Sequence, residues 1–142
     1  MGRATTEIAT GERARADGTS RARKDAAVDF LRAAAAGHAR EAFAKHAASG
    51  FRHHNPFFAG DAKSLWEAMD ENAVKFPDKV IEVKHLVADG DYVATHSSVH
   101  MQPGDAGHAV VHIFRFEGDK VAELWDVGQE LPADSPNENG AF

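Results

Sequence analysis

The chain has 142 residues, 43% hydrophobic and 27% charged, with no cysteine and a formal net charge of −6. That is one domain's worth of sequence with enough apolar side chains for a core, and the lack of cysteine excludes disulfides, thiolate catalysis and a Cys-ligated zinc. The acidic balance, with no compensating basic patch, argues against a partner held through nucleic-acid phosphates.

Met1 to about Ser20 is rich in Arg, Thr, Gly and Ala and almost free of large apolar residues. Burial there cannot offset the entropy of ordering, so residues 1–20 are expected to be a flexible segment. An Arg-rich transit peptide is the other reading, and Glu7, Glu12 and Asp17 speak against it. No apolar run is long enough to span a bilayer, and the opening residues lack the apolar stretch of a secretory signal. No membrane contact is expected, and a cysteine-free chain suits the cytoplasm.

From Arg21 the pattern turns helical: Ala27, Phe30, Leu31 and Ala34 recur at three and four, and Gly37 stops the run. A second helix is expected over His38 to Ala48, presenting Ala39, Phe43 and Ala47. Phe51 to Phe58 reads as a short strand or extended segment broken by Pro56, because the residue before a proline is pushed out of helical space. A third helix, about Asp61 to Lys75, places Leu65, Trp66, Met69 and Ala73 on one face, and Pro77 ends it.

Four strands follow, about Lys79–Ala88, Asp91–Met101, His108–Phe116 and Val121–Gly128. Asp89-Gly90 is a strong two-residue hairpin signal, and residues 103–107 make a longer turn. Helices first and a meander afterwards imply an α+β domain over residues 21–131 with an antiparallel sheet. Residues 132–142 read as a flexible, polar tail. In the third of these strands both faces are apolar, Val110, Phe114 and Phe116 on one side and Val111 and Ile113 on the other. Both faces of the sheet then need cover. The helices can cover one, and a second subunit is expected on the other.

The chemistry concentrates between His108 and Gln129. Two oily runs meet at Glu117-Gly118-Asp119-Lys120, and each carries an ionisable residue, His112 in the first and Asp126 beside Trp125 in the second. Such groups are costly inside a core unless paired, hydrogen-bonded or in use. The turn decides whether they meet. With a simple two-residue loop His112 stands opposite Trp125 and Asp126 points away, whereas a one-residue bulge near the turn sets His112 against Asp126. Arg115 reads as an outward ion-pair partner, and Glu123 as either a second pocket carboxylate or a solvated strand-end charge. His53 is expected to point to solvent, out of phase with His54. His96 and His100 share a face with Tyr92, and a metal site completed by His112 is conceivable there. The usual helical metal motifs are absent, however, so no metal is expected. No phosphate loop or nucleophile elbow is present, and no cofactor is expected.

The segment His112-Ile113-Phe114-Arg115-Phe116, the Gly turn, and Glu123-Leu124-Trp125-Asp126 together resemble the closing hairpin of SnoaL-like polyketide cyclase and aldol-condensation proteins, in the nuclear transport factor 2-like superfamily. His54-Asn55-Pro56 and Asp89 to His96 agree with that resemblance, which covers about Ala26 to Gln129. It implies a cone-shaped α+β barrel, a curved antiparallel sheet wrapped by three N-terminal helices, and a homodimer through the sheet. It also implies the bulged register, with Asp126 as acid/base catalyst and His112 as its partner in an aldol cyclisation or isomerisation of a hydrophobic carbonyl compound. Many members of the aldol-condensation branch carry an acidic residue where His112 stands. Around the pair, His54 and Asn55 would orient the ligand and Trp125 would form an apolar wall, with His96, Phe114, Tyr92 and Trp66 completing the lining. Two other functions fit the same outline: a non-catalytic dimeric protein that binds a small apolar ligand, and an epoxide hydrolase of the limonene epoxide hydrolase type.

Overall fold

The structure, a computed structural model, describes the backbone of residues 2–142 and the side chains of residues 18–142. Three helices, α1 (Gly2–Ala35), α2 (Ala39–His46) and α3 (Ala62–Lys75), alternate with and precede five strands. The strands are β1 (Ala47–His53), β2 (Val80–Asp89), β3 (Tyr92–His100), β4 (His108–Glu117) and β5 (Lys120–Glu130). They form one open sheet in the order β1-β5-β4-β3-β2. The flexible segment expected over residues 1–20 falls, apart from its last three residues, outside the described side chains. Residues 132–142 form no helix or strand.

Each element has a local cause. Gly37, at φ 91°, stops the helical run before α2 with a backbone conformation that side chains resist. No side chain of its own caps the start of α2. Asp70 of α3 does so instead, accepting from Ala39 N at 2.8 Å and Arg40 N at 3.4 Å, which ties α2 to α3. At the start of α3 the Asp61 carboxylate accepts from Ser64 N at 3.1 Å, a local N-cap. Gly90 and Gly118, at φ 56° and 60°, turn the two hairpins. Arg23 of α1 donates to both turn carbonyls, each at 3.1 Å, and lies over the Phe116 ring, so one side chain pins the helix to the sheet's end.

The sheet is mixed, which corrects the antiparallel expectation. The segment after α2 enters the sheet parallel to β5, with Arg52 opposite Glu123 and His53 opposite Leu124. Ala47-Ala48-Ser49-Gly50 carries no strand signal of its own, and the pairing partner imposes the conformation. The sheet also stays open at both edges. Bulges near Lys84 and Ala122 bend β2 and β5 and curl the sheet around α1.

The core lies between the helices and the inner face of this sheet. Phe30 of α1 meets Phe43 at 4.9 Å and Phe114 at 5.7 Å between ring centroids, and Phe116, Val93, Val121 and Leu124 complete the packing. The outer face carries Val87, Tyr92 and Val127 exposed to solvent.

The β3–β4 turn supplies a stability test. Gly107 sits at φ 82°, and a Cβ there would meet the His100 ring at 2.8 Å and the Val99 carbonyl at 3.1 Å. Gly107→Ala is expected to destabilise by about 1–3 kcal/mol in urea unfolding. A shift within error of zero would mean that this turn relaxes freely.

Candidate functional site

The turn at the end of the last hairpin resolves the open register. Glu117 pairs with Lys120 and Phe116 with Val121, but Arg115 pairs with Glu123, so Ala122 is an extra residue in β5. Beyond the bulge, Phe114 stands opposite Leu124 and His112 opposite Asp126. Both members of each pair project to the helix side, since Phe114 and Leu124 belong to the core. His112 and Asp126 therefore share a face.

His112 is buried, 8% exposed, with its ring 6.1 Å from that of Phe114. It lines a cavity of about 120 Å³ together with Lys79 and the apolar side chains of Leu31, Ala34, Ala35, Met69, Ile81, Val99 and Met101. Burial pushes the His112 imidazole down to about 4, against the upward pull of the Asp126 charge. The ring is thus neutral at pH 7, and its Nδ1 has no hydrogen-bond partner among the described residues. Thr95, opposite His112 on β3, and Ser97 face the same way, and their hydroxyls are likewise buried without partners. A polar row of this kind under apolar helices is costly unless something meets it.

Asp126 lies on the far side of His112 from β3. It is half-buried, and its Oδ2 accepts from the Asn55 side-chain amide at 3.0 Å. Asn55 is itself fixed, its Oδ1 accepting from Phe57 N at 3.0 Å in the loop around Pro56. The extended segment after β1 thereby aims an amide at the catalytic candidate across the sheet edge.

The other expected site residues divide. Phe114 is fully buried core between Phe30 and Phe116 and forms the floor beneath His112. Trp66 is partly buried against the core on α3, with the Arg40 guanidinium 5.3 Å from its ring centroid, and it does not line the cavity. Trp125 does not wall the cavity either. It is the neighbour of Asp126 along a strand, opposite Ile113, so alternation turns it to the outer face. There it stacks on His54 at 4.9 Å and approaches Tyr92 at 6.3 Å. His54 follows it outward and bonds Glu123 Oε2 at 2.5 Å. His96 pairs with Val111 on the outer face, its ring stacked on His85 at 5.2 Å and approached by Phe142 of the tail at 5.0 Å.

The phase of His53 and His54 is thus the reverse of that expected. His53 is 6% exposed; its ring contacts the Ala59 carbonyl at 2.6 Å and accepts from Asn55 N at 3.1 Å, bracing the loop. The parallel pairing of His53 with Leu124 turns it inward. His96 and His112 lie on opposite faces, so they do not converge on a metal, and no cluster of three metal-ligating side chains occurs among the described residues.

Glu123 is the centre of a separate outer-face cluster. It meets Arg52 at 3.0 Å, Arg115 at 3.0 Å and His54, and these donors hold its carboxyl down to about 2. Arg115 also reaches Glu117 at 3.1 Å. It is the outward ion-pair partner expected, and Glu123 is neither a pocket carboxylate nor solvated. The arginine lies between two carboxylates, but across the sheet from the cavity.

Sequence reasoning missed Lys79, Thr95 and Ser97. Alternation in β3 with Val93 and Val99 was a usable signal for the two hydroxyls. Lys79 gave none.

Three helices against the concave face of a curled, open sheet, with a small apolar cavity between them, define the α+β cone architecture of nuclear transport factor 2-like proteins. The sequence matches the SnoaL-like domain family over residues 27–124, and the chain belongs to that family. No curated protein matches it. Among solved structures it is similar to a nuclear transport factor 2-like protein of unknown function from Burkholderia xenovorans, with a TM-score of 0.67 at 18% identity over 83% of this chain and 90% of that one. It is also similar to AclR, a proposed hydroxylase from Streptomyces galilaeus, with a TM-score of 0.63 at 24% identity over 75% and 88%. A proposed polyketide cyclase from Acidithiobacillus ferrooxidans gives a TM-score of 0.59 at 20% identity over 75% and 87%. These likenesses concern the fold. No helix among the described residues is long and apolar enough to cross a membrane.

Proposed function

We propose that the protein is a cofactor-free acid/base enzyme acting on a hydrophobic carbonyl compound, an aldol cyclase or isomerase of the SnoaL-like kind. The observation that carries this reading is the cross-strand register of His112 and Asp126 on the helix side of the sheet, with His112 lining a mostly apolar cavity and Asp126 beside it on the neighbouring strand. Asp126 removes a proton α to a carbonyl. The neutral His112 ring donates a hydrogen bond to the enolate oxygen, which an uncharged imidazole can do without itself losing a proton. The enolate carbon attacks a second carbonyl in the same molecule, a carbon–carbon bond forms, and the resulting alkoxide takes back the proton from Asp126. No external oxidant or co-reactant enters. Asn55, donating to Asp126 Oδ2, orients the carboxylate.

The likeness to a proposed polyketide cyclase supports the same class of reaction. Turnover of cyclisable hydrophobic diketones by the wild type, lost in Asp126→Asn, tests it. Wild-type protein that binds such compounds without turning them over would leave the binding-protein reading.

The outer face bears on assembly. Val111, Ile113, Trp125 and Val127 form an apolar stripe across β4 and β5, and Val127 is 69% exposed. A second copy covering this stripe makes the protein a homodimer through the sheet. The cytoplasm is its proposed location, in keeping with a chain that has no cysteine.

A further inference from the structure

The cavity that His112 lines also takes in a lysine with no carboxylate partner among the described residues. Lys79 lies in the connection between α3 and β2, where its backbone N–H donates to Phe76 O at 3.1 Å and its ammonium donates to Asn72 Oδ1 at 2.6 Å. It is half-buried, lines the cavity together with His112, and has no carboxylate partner among the described residues. Lys45, Lys63 and Lys84 pair with carboxylates, whereas Lys79 is a half-buried lysine whose ammonium meets only an amide oxygen. Asn72 supplies an oxygen that aims the ammonium and leaves two of its protons free. Between Lys79 and His112 the walls are Leu31, Met69, Ile81, Val99 and Met101, all apolar.

Resting on the reading of this cavity as the substrate site, we propose that its ligand is an apolar molecule carrying a carboxylate or an equally anionic oxygen, which Lys79 takes as counter-ion. The acid end then lies away from Asp126, whose negative charge would repel it, and the reacting carbonyl falls beside His112. Val99, opposite Ile81, is four residues along β3 from Thr95, opposite His112. That is about 13 Å of strand, shortened by the reach of the lysine side chain, so the ligand's body is several carbons long.

The test uses the full chain and two probes of the same shape, phenylbutyrate and its neutral amide, phenylbutyramide. Binding is followed at pH 7 through the His112 ring and Met69 methyl resonances. The wild type is expected to bind the acid about tenfold more tightly than the amide, a preference lost in Lys79→Gln and kept in Lys79→Arg. Equal binding of both probes in the wild type, or an acid preference that survives Lys79→Gln, overturns the role of Lys79 while leaving the cavity as a ligand site. If neither probe moves the His112 and Met69 signals, the cavity reading falls as well.

Discussion

Asp126→Asn is expected to lower turnover of a cyclisable diketone by about 10²–10⁴-fold while leaving ligand affinity and fold nearly unchanged. Asparagine keeps the shape of the side chain and can still accept from Asn55, which now donates to Asp126 Oδ2 at 3.0 Å. What it loses is the lone-pair basicity needed to take a proton from carbon. The substitution separates the two functional classes, because a binding protein needs no base at this position. A merely structural carboxylate would show itself in assembly, but Asp126 faces the helices and the apolar stripe proposed for dimerisation is on the other side. A shift in the monomer–dimer balance with turnover untouched would place Asp126 at an interface and sink the mechanism.

Stability should fall on acidification from neutrality by an amount set largely by His112. Its imidazole titrates at about 4 in the folded protein, against an ordinary 6.5. Between those values the unfolded chain binds the proton and the folded one does not, so stability is full above about 6.5 and is lost progressively down to about 4. The gap corresponds to on the order of 3 kcal/mol. Glu123 works in a lower window. Its carboxyl is depressed from 4.5 to about 2, so its contribution is present above 4.5 and lost only as pH falls towards 2. Urea unfolding of the wild type and of His112→Gln across the range 6.5 to 4 isolates the histidine. The wild-type loss should be larger by about that amount, and parallel curves would show that the buried ring is protonated at little cost.

How far the sequence carries depends on which residues hold local information. The helices and the β2–β5 meander were legible because apolar spacing at three and four, alternation, and Asp89-Gly90 and Gly118-Asp119 each act over a few residues. Of β1 only the stretch from Phe51 was legible as a strand; its start at Ala47 and its parallel pairing were not, since the small residues around Ser49 and Gly50 join the sheet only by pairing with β5. The parallel pairing also reversed the phases expected of His53 and His54. The His112–Asp126 meeting could be posed as a choice of register but not decided from the residues alone, because nothing at Ala122 announces a bulge. The resemblance to SnoaL-like hairpins favoured the arrangement found. Trp125 is a different case. Adjacent residues on a strand face opposite ways, so alternation alone sends Trp125 to the face away from Asp126. Lys79 was silent because its place in the cavity depends on how the end of α3 meets β2, a tertiary fact with no pattern in the chain.

The proposed chemistry requires His112 and Asp126 to share the helix side of the sheet. Following the His112 ring by NMR through a pH titration, in the wild type and in Asp126→Asn, tests that placement. The wild-type ring is expected to titrate far below an ordinary histidine, and lower still once the carboxylate that favours its protonated form is gone. A ring that titrates near 6.5 and is indifferent to the substitution would put His112 in solvent and Asp126 out of its reach.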